Sequence, residues 1–383
     1  MKLEDELTHD TLRLAQDAVF LQIRDSLRRL GYNEETVRSR YFFKGIPGDS
    51  VVFPRASQKL AGTLSSLDVL VHLFLGQELL PADLVAERLG TTLMAALQAV
   101  DMIRVGGDGV CHASIRLEPL EDLLVCADLV ASGSPRRSDL VYRPWDFSAQ
   151  SYTRIIPPTP CGSFLEMCCG SAYTCLRAAR AFAESACGVD INSRAIHFAE
   201  FNRKLNGIDA VELHCGDLFA PVASRTFDRI VAHPPYIPTT AQSLIYKDGG
   251  PDGEEISARL IRALPRHLSD GGSFHGFLLL SDRREAPAEL RVREMLGTDE
   301  QQFDVALLTV LVVTPAAFLG ESADPDFFSE NNKYLREVAR RLEILQFVKA
   351  FLTIQPRRNR IPATTRHRAM GWETMVRMAA LTP

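Results

Sequence analysis

No stretch of this chain is apolar for long enough to cross a bilayer as a helix. The longest apolar run, residues 305 to 319 (VALLTVLVVTPAAFL), is broken by Thr309, Thr314 and Pro315 and reads as a buried strand. The first twenty residues, MKLEDELTHDTLRLAQDAVF, lack the basic start and unbroken apolar centre of a signal peptide, so a cytoplasmic location is expected. A positive excess is missing too. The 43 Lys and Arg against 48 Asp and Glu leave a formal net charge of -5, which weighs against a broadly basic nucleic-acid surface. The eight cysteines contain no C-x-x-C pair and no zinc-ligand spacing, so they are expected to be small buried apolar residues, with no metal and no disulfide. Repeats and low-complexity tracts are absent. What remains is a globular chain of 383 residues with 46% hydrophobic content, long enough for two domains.

The chain divides into three parts by pattern. Residues 1–130 suggest three helices, a break at Leu89-Gly90, and a hairpin turning at Gly106-Gly107-Asp108-Gly109, the order of a winged helix. Its third helix, TTLMAALQAVDM, offers no Lys or Arg to a DNA groove, so a scaffold or substrate-capping role is expected instead. Residues 131–162 form a linker rich in Ser, Pro and Arg, whose Tyr142, Trp145, Phe147 and Tyr152 are candidates for a substrate pocket. From 163 to 383 short apolar runs alternate with amphipathic ones. That alternation predicts a mostly parallel sheet with helices on both faces and ligands at the C-terminal strand ends. A long helix, a strand and a basic tail close the chain.

The strand ends carry the chemistry. After FLEM, residues Cys168 to Ala172 must turn tightly into a helix, with Gly170 allowing close approach of a ligand and the helix start offering free N–H donors. Glu166, Asp190 and Asp217 stand at three successive strand ends, with Ile191 and Leu218 beside the last two. Three carboxylates repel phosphate, and no P-loop lysine follows the glycine. A sulfonium, an ammonium and a ribose diol suit them better, so S-adenosylmethionine is expected as cofactor in preference to NAD. The fourth strand ends in His233-Pro234-Pro235-Tyr236, a rigid corner that leaves carbonyls and an aromatic face at the rim.

With this corner in place, residues 163 to 282 resemble the class I S-adenosylmethionine-dependent methyltransferases. The similarity is to the branch with an Asn-Pro-Pro-Tyr motif, which holds protein-glutamine, adenine-N6 and small-domain ribosomal RNA methyltransferases. The resemblance implies a Rossmann-like domain with a seven-stranded, mostly parallel sheet, and a cofactor site of Glu166, Cys168, Gly170, Ala172, Asp190, Ile191, Asp217, Leu218 and His233. It implies catalysis at His233, Pro234 and Tyr236, with Tyr236 and Tyr246 facing the acceptor. Lys247 and Asp248 lie on the loop that follows.

Three departures qualify it. Cys168 and Ala172 replace glycines, which costs little if their φ is negative. His233 replaces the Asn that grips an acceptor NH2, and an imidazole suggests a general base acting on an N or O nucleophile. The expected acceptor is therefore a small molecule, perhaps of secondary metabolism, ahead of a protein or nucleic acid. No membrane partner is expected, and the oligomeric state is not legible. Three alternatives stay open: a protein-glutamine or nucleic-acid base methyltransferase, a cyclase that closes the cofactor to azetidine-2-carboxylate and methylthioadenosine, and a winged-helix DNA-binding protein that senses the cofactor.

Overall fold

The computed structural model describes residues 12–41, 63–129, 137–239, 244–320 and 325–368. The amino-terminal part runs α1 (Asp17–Arg29), α2 (Glu34–Tyr41), α3 (Ser66–Phe74), β1 (Leu80–Pro81), α4 (Ala82–Leu89) and α5 (Thr91–Ala99). Four strands follow, β2 (Ile103–Val105), β3 (Val110–Ala113), β4 (Arg116–Leu120) and β5 (Leu123–Ala127). Five helices and a hairpin are present here among the described residues, and β1 joins the hairpin strands in a three-stranded sheet ordered β1-β3-β2. Ser65 and Asp68 form a capping box that starts α3. Gly90, at φ 80°, separates α4 from α5 in a conformation that other residues rarely adopt. After the hairpin turn the chain is split at Ser114-Ile115 into β3 and β4, and β4 turns away to pair with β5.

Inside the 131–162 segment lies a helix, α6 (Phe147–Ile155), whose first turn is capped where Asp146 Oδ1 accepts from Ser148 N at 2.8 Å. The alternating part then runs β6 (Cys161–Met167), α7 (Tyr173–Ala181), β7 (Ala183–Asp190), α8 (Ser193–Asn206), β8 (Val211–Cys215), β9 (Phe227–Ala232) and α9 (Glu255–His267). It continues through β10 (Leu268–Arg283), α10 (Ala288–Met295), β11 (Phe303–Val313), α11 (Pro315–Gly320), α12 (Pro325–Arg341), β12 (Ile344–Pro356) and β13 (Thr364–Arg368). These strands form one sheet ordered β13-β11-β12-β10-β9-β6-β7-β8. From β8 to β10 the strands are parallel, whereas β12 runs antiparallel between β10 and β11.

The eighth strand corrects the expected seven. Part of the basic tail becomes β13, parallel to β11, and Arg366 bonds Asp282 at 2.8 Å and Glu289 at 3.2 Å. An edge strand of sequence TTRHR has almost no apolar alternation, so periodicity could not reveal it. The long apolar run ends at Val313, and Thr314-Pro315 starts a helix in place of further strand.

One face of the sheet, with Leu165, Met167, Ile230 and Ala232, packs under α9 and α10. The other face presents Phe164, Val231 and Phe277 to a cluster that continues without a break into the amino-terminal helices. Phe20 of α1 meets Phe201 of α8 edge to face at 5.0 Å. Two asparagines one turn apart on α8 complete the join. Asn202 Oδ1 accepts from Cys126 N at 2.7 Å and its Nδ2 donates to Cys126 O at 3.1 Å, while Asn206 does the same for Leu124 at 2.9 and 2.8 Å. The free edge of β5 is satisfied by side chains where a neighbouring strand would stand.

Candidate functional site

The turn after β6 holds three left-handed residues: Cys168 at φ 55°, Gly170 at 54° and Ala172 at 59°. The negative φ expected at 168 and 172 is therefore not found, and each of these side chains costs about 1–2 kcal/mol of conformational strain. Surrounding bonds hold the turn: Ala172 N donates to Cys169 O at 2.7 Å, Cys169 N to Val189 O at 3.1 Å, and Gly170 N to Asp190 Oδ2 at 2.8 Å. Gly188 makes room for Cys169, since a Cβ there would lie 3.2 Å from its sulfur. Burial pushes the thiols of Cys168, Cys169 and Cys175 up, so they are protonated, weakly nucleophilic packing groups.

The acids line up as the strand order dictates, each with its own environment. Glu166 is 5% exposed and accepts from Cys175 N at 2.8 Å, which caps α7, and burial raises its carboxyl to about 8. Asp190 accepts from Gly170 N and, at 2.9 Å, from Asn192 N. Burial raises its carboxyl as well, against the backbone N–H groups of Asn192, Gly170 and Ile191, which favour the charged form. Asp217 is half-exposed and pairs with Arg259, an engagement the sequence did not suggest. Ile191 is 60% exposed and Leu218 is left-handed at φ 46°. All of them border one cleft of about 1480 Å³, together with Gly170, His233, Pro234 and Tyr236.

At the end of β9 the His233 ring lies 5.3 Å from Phe277, 5.5 Å from Tyr152 and 6.0 Å from Tyr236, centroid to centroid. Burial, with the Lys349 ammonium nearby, lowers the imidazole to about 3. It is neutral at working pH. The loop of residues 244–255 braces this corner through Ile237 N to Lys247 O at 2.8 Å and Gly249 N to Ile237 O at 2.9 Å. A Cβ on Gly249 would meet Tyr236 Cα at 2.7 Å, so the glycine permits the approach.

The aromatic candidates separate. Tyr142 and Tyr246 stack at 5.2 Å on the cleft wall, and Tyr152 lines the interior. Trp145 does not reach the cleft. It is 9% exposed beneath the Arg38 guanidinium, 4.8 Å from its ring, and its backbone N–H donates to buried Glu118 at 2.7 Å, so it packs the amino-terminal part. Phe147 begins α6, and its side chain lies outside the described residues.

Sequence reasoning missed Lys349. From the middle of β12 its Nζ donates to Ser148 Oγ at 2.9 Å and to Tyr236 Oη at 3.2 Å, and it lies 4.8 Å over the Phe277 ring. A lone cation inside FVKAFLTI was the available signal, because a buried strand tolerates a lysine only with a purpose. The potential metal donors that converge among the described residues are Cys187, Glu212 and His214, a set that does not include Cys168, Cys169 or Cys175, and Arg225 is 2.6 Å from Glu212. No helix of the described residues is long and apolar enough to cross a membrane.

Residues 160–275 match the family described as a methyltransferase domain. A ribosomal protein uL3 glutamine methyltransferase of Bradyrhizobium diazoefficiens is 35% identical over 128 residues, 30% of this chain and 40% of its own length. Its counterpart in Burkholderia pseudomallei is 32% identical over 134 residues, 30% of this chain and 44% of its own length. A release factor glutamine methyltransferase of Geobacter sulfurreducens is 34% identical over 96 residues, 22% of this chain and 34% of its own length. The chain thus spans less than half the length of each of these relatives. The matched stretch is a methyltransferase domain on a Rossmann-like α/β sheet. All three names denote enzymes acting on protein glutamine, and this overturns the expected small-molecule acceptor.

Proposed function

We propose that this chain, whose residues 160–275 form a methyltransferase domain, is an S-adenosylmethionine-dependent enzyme that methylates the side-chain amide of a protein glutamine. The observation that supports a protein-glutamine acceptor is that the matched relatives are named as glutamine methyltransferases, and the neutral imidazole of His233 fits it. An amine acceptor is protonated at neutral pH and needs a competent base, whereas an imidazole lowered to about 3 takes up protons weakly. An amide nitrogen is already neutral. Once methylated it is a far stronger acid than imidazolium, so even this imidazole receives its proton downhill. His233 is therefore read first as a hydrogen-bond acceptor: a ring nitrogen and the Pro234 carbonyl accept from the two N–H groups of the amide, and the ring takes up the proton only once the methyl group has been transferred. Tyr236, tethered through its hydroxyl to Lys349, forms the wall of that pocket.

The donor set of the cleft fits the cofactor. Glu166 suits the ammonium, Asp190 the ribose hydroxyls and exposed Ile191 the adenine face, while the turn at Gly170 admits close approach of the backbone. When bound, the cofactor supplies an electrophilic methyl group on sulfur. The residues around it orient the amide and exclude water.

The test is mass analysis of ribosomal proteins and release factors incubated with the chain and S-adenosylmethionine. One added methyl on a glutamine is expected. His233→Asn, which offers a comparable acceptor, should keep most of the activity, while His233→Ala should lose about a hundredfold. Methyl groups on lysine amines alone, or methylthioadenosine as the nucleoside product, would refute the assignment.

A further inference from the structure

Tyr152 is 3% exposed, and its hydroxyl has no hydrogen-bond partner among the described residues. It is carried by α6, immediately before the methyltransferase domain, and it lines the cleft beside the His233 ring. The ionisable groups around it are Glu166, Cys168, Cys169 and Cys175, and none of them bonds it. Burial pushes the phenol well above its ordinary range, so it remains a proton donor under any working condition. A buried donor left unpaired lowers stability and calls for an explanation. Packing supplies none, because phenylalanine would fill the same space without the penalty.

Position along the rim narrows the partner. Asp217 and Asp190, at the ends of β8 and β7, mark one end of the cleft, which suits the adenosine part of a ligand. Glu166 at the end of β6 and His233 at the end of β9 mark the other, and Tyr152 stands between these two. That end must receive the amino-acid part of the cofactor, which carries one cationic and one anionic group. Glu166 is the natural partner of the ammonium. The carboxylate then needs a donor, and of the buried unpaired polar groups among the described residues the Tyr152 hydroxyl is the one that lines this cleft.

We propose that the Tyr152 hydroxyl donates a hydrogen bond to the α-carboxylate of the cofactor, opposite Glu166, which takes the ammonium. This rests on the cofactor assignment above. It makes α6 part of the cofactor site and gives the Tyr152 hydroxyl its partner.

Two nucleosides separate the possibilities. S-adenosylhomocysteine has the amino-acid end, and methylthioadenosine has the adenosine and thioether without it. In calorimetry, Tyr152→Phe should bind S-adenosylhomocysteine about tenfold more weakly and methylthioadenosine with unchanged affinity, while the ligand-free variant melts about 2–4 °C higher than the parent. The parent should also discriminate against the carboxamide of S-adenosylhomocysteine, a comparison that requires no variant. If Tyr152→Phe keeps full affinity for S-adenosylhomocysteine, the contact is not made and the cofactor assignment stands. Equal losses for both nucleosides would mean that the ring only shapes the cleft, and this too refutes the contact. A parent protein indifferent to both nucleosides would remove the cofactor assignment itself.

Discussion

Glu166 shows how a single side chain ties the folding of the site to its use. Its carboxyl caps α7 through Cys175 N and is nearly enclosed, so that burial lifts it to about 8. Because the folded value exceeds the usual one near 4.5, the acid contributes stability fully below that value, and the contribution is lost as pH rises through about 8. A ligand ammonium favours the charged carboxylate and expels the proton. Affinity for S-adenosylmethionine should therefore rise between about pH 6 and pH 7.5, by at most about tenfold per unit, and Glu166→Gln should bind weakly with no such slope. Calorimetry in buffers of different ionisation enthalpy would also detect the released proton, and a flat parent profile would contradict the linkage. The acids were legible in the sequence because strand ends announce themselves. The left-handed φ of Cys168 and Ala172 was not, since residues with a Cβ rarely adopt it and only the surrounding bonds impose it here.

Among the elements, α8 has the least obvious task. Its sequence, SRAIHFAEFNRKLN, reads as an ordinary crossover helix, yet Asn202 and Asn206 supply the missing hydrogen bonds of β5. Asn202 is fully buried and also donates to Ser171 O at 3.0 Å, within the turn that faces the cleft. Asn202→Leu should thus cost about 2–4 kcal/mol, as it leaves one backbone N–H and two carbonyls unpaired in the core. Chemical denaturation would measure it. A loss below about 1 kcal/mol would mean that water or relaxation satisfies these groups. Two polar residues at i and i+4 were visible in the chain. Their strand partner was not, because it lies 76 residues away.

At the level of the whole molecule, the amino-terminal helices and the methyltransferase sheet share one core. The cluster runs from Phe20 and Leu27 through Phe198 and Phe201 to Phe277 and Phe351. A buried pair of Arg194 with Asp128 adds to it, and Asp128 also accepts from Val141 N at 2.7 Å. Separating the two parts would expose this apolar face, so scanning calorimetry should record a single unfolding transition for the chain. An early melt of the amino-terminal part, with the sheet intact, would show that the shared core adds little. Sequence alone determined the alternation of strands and helices, the strand-end acids and the corner at His233, because periodicity and turn chemistry are local properties. Tertiary structure decided the rest. It made β13 an edge strand, placed Trp145 away from the cleft, and enclosed His233 beside Lys349 so that the imidazole stays neutral. Each outcome depends on what distant chain segments bring to the same place, and the electrostatic environment of a side chain is set by those neighbours.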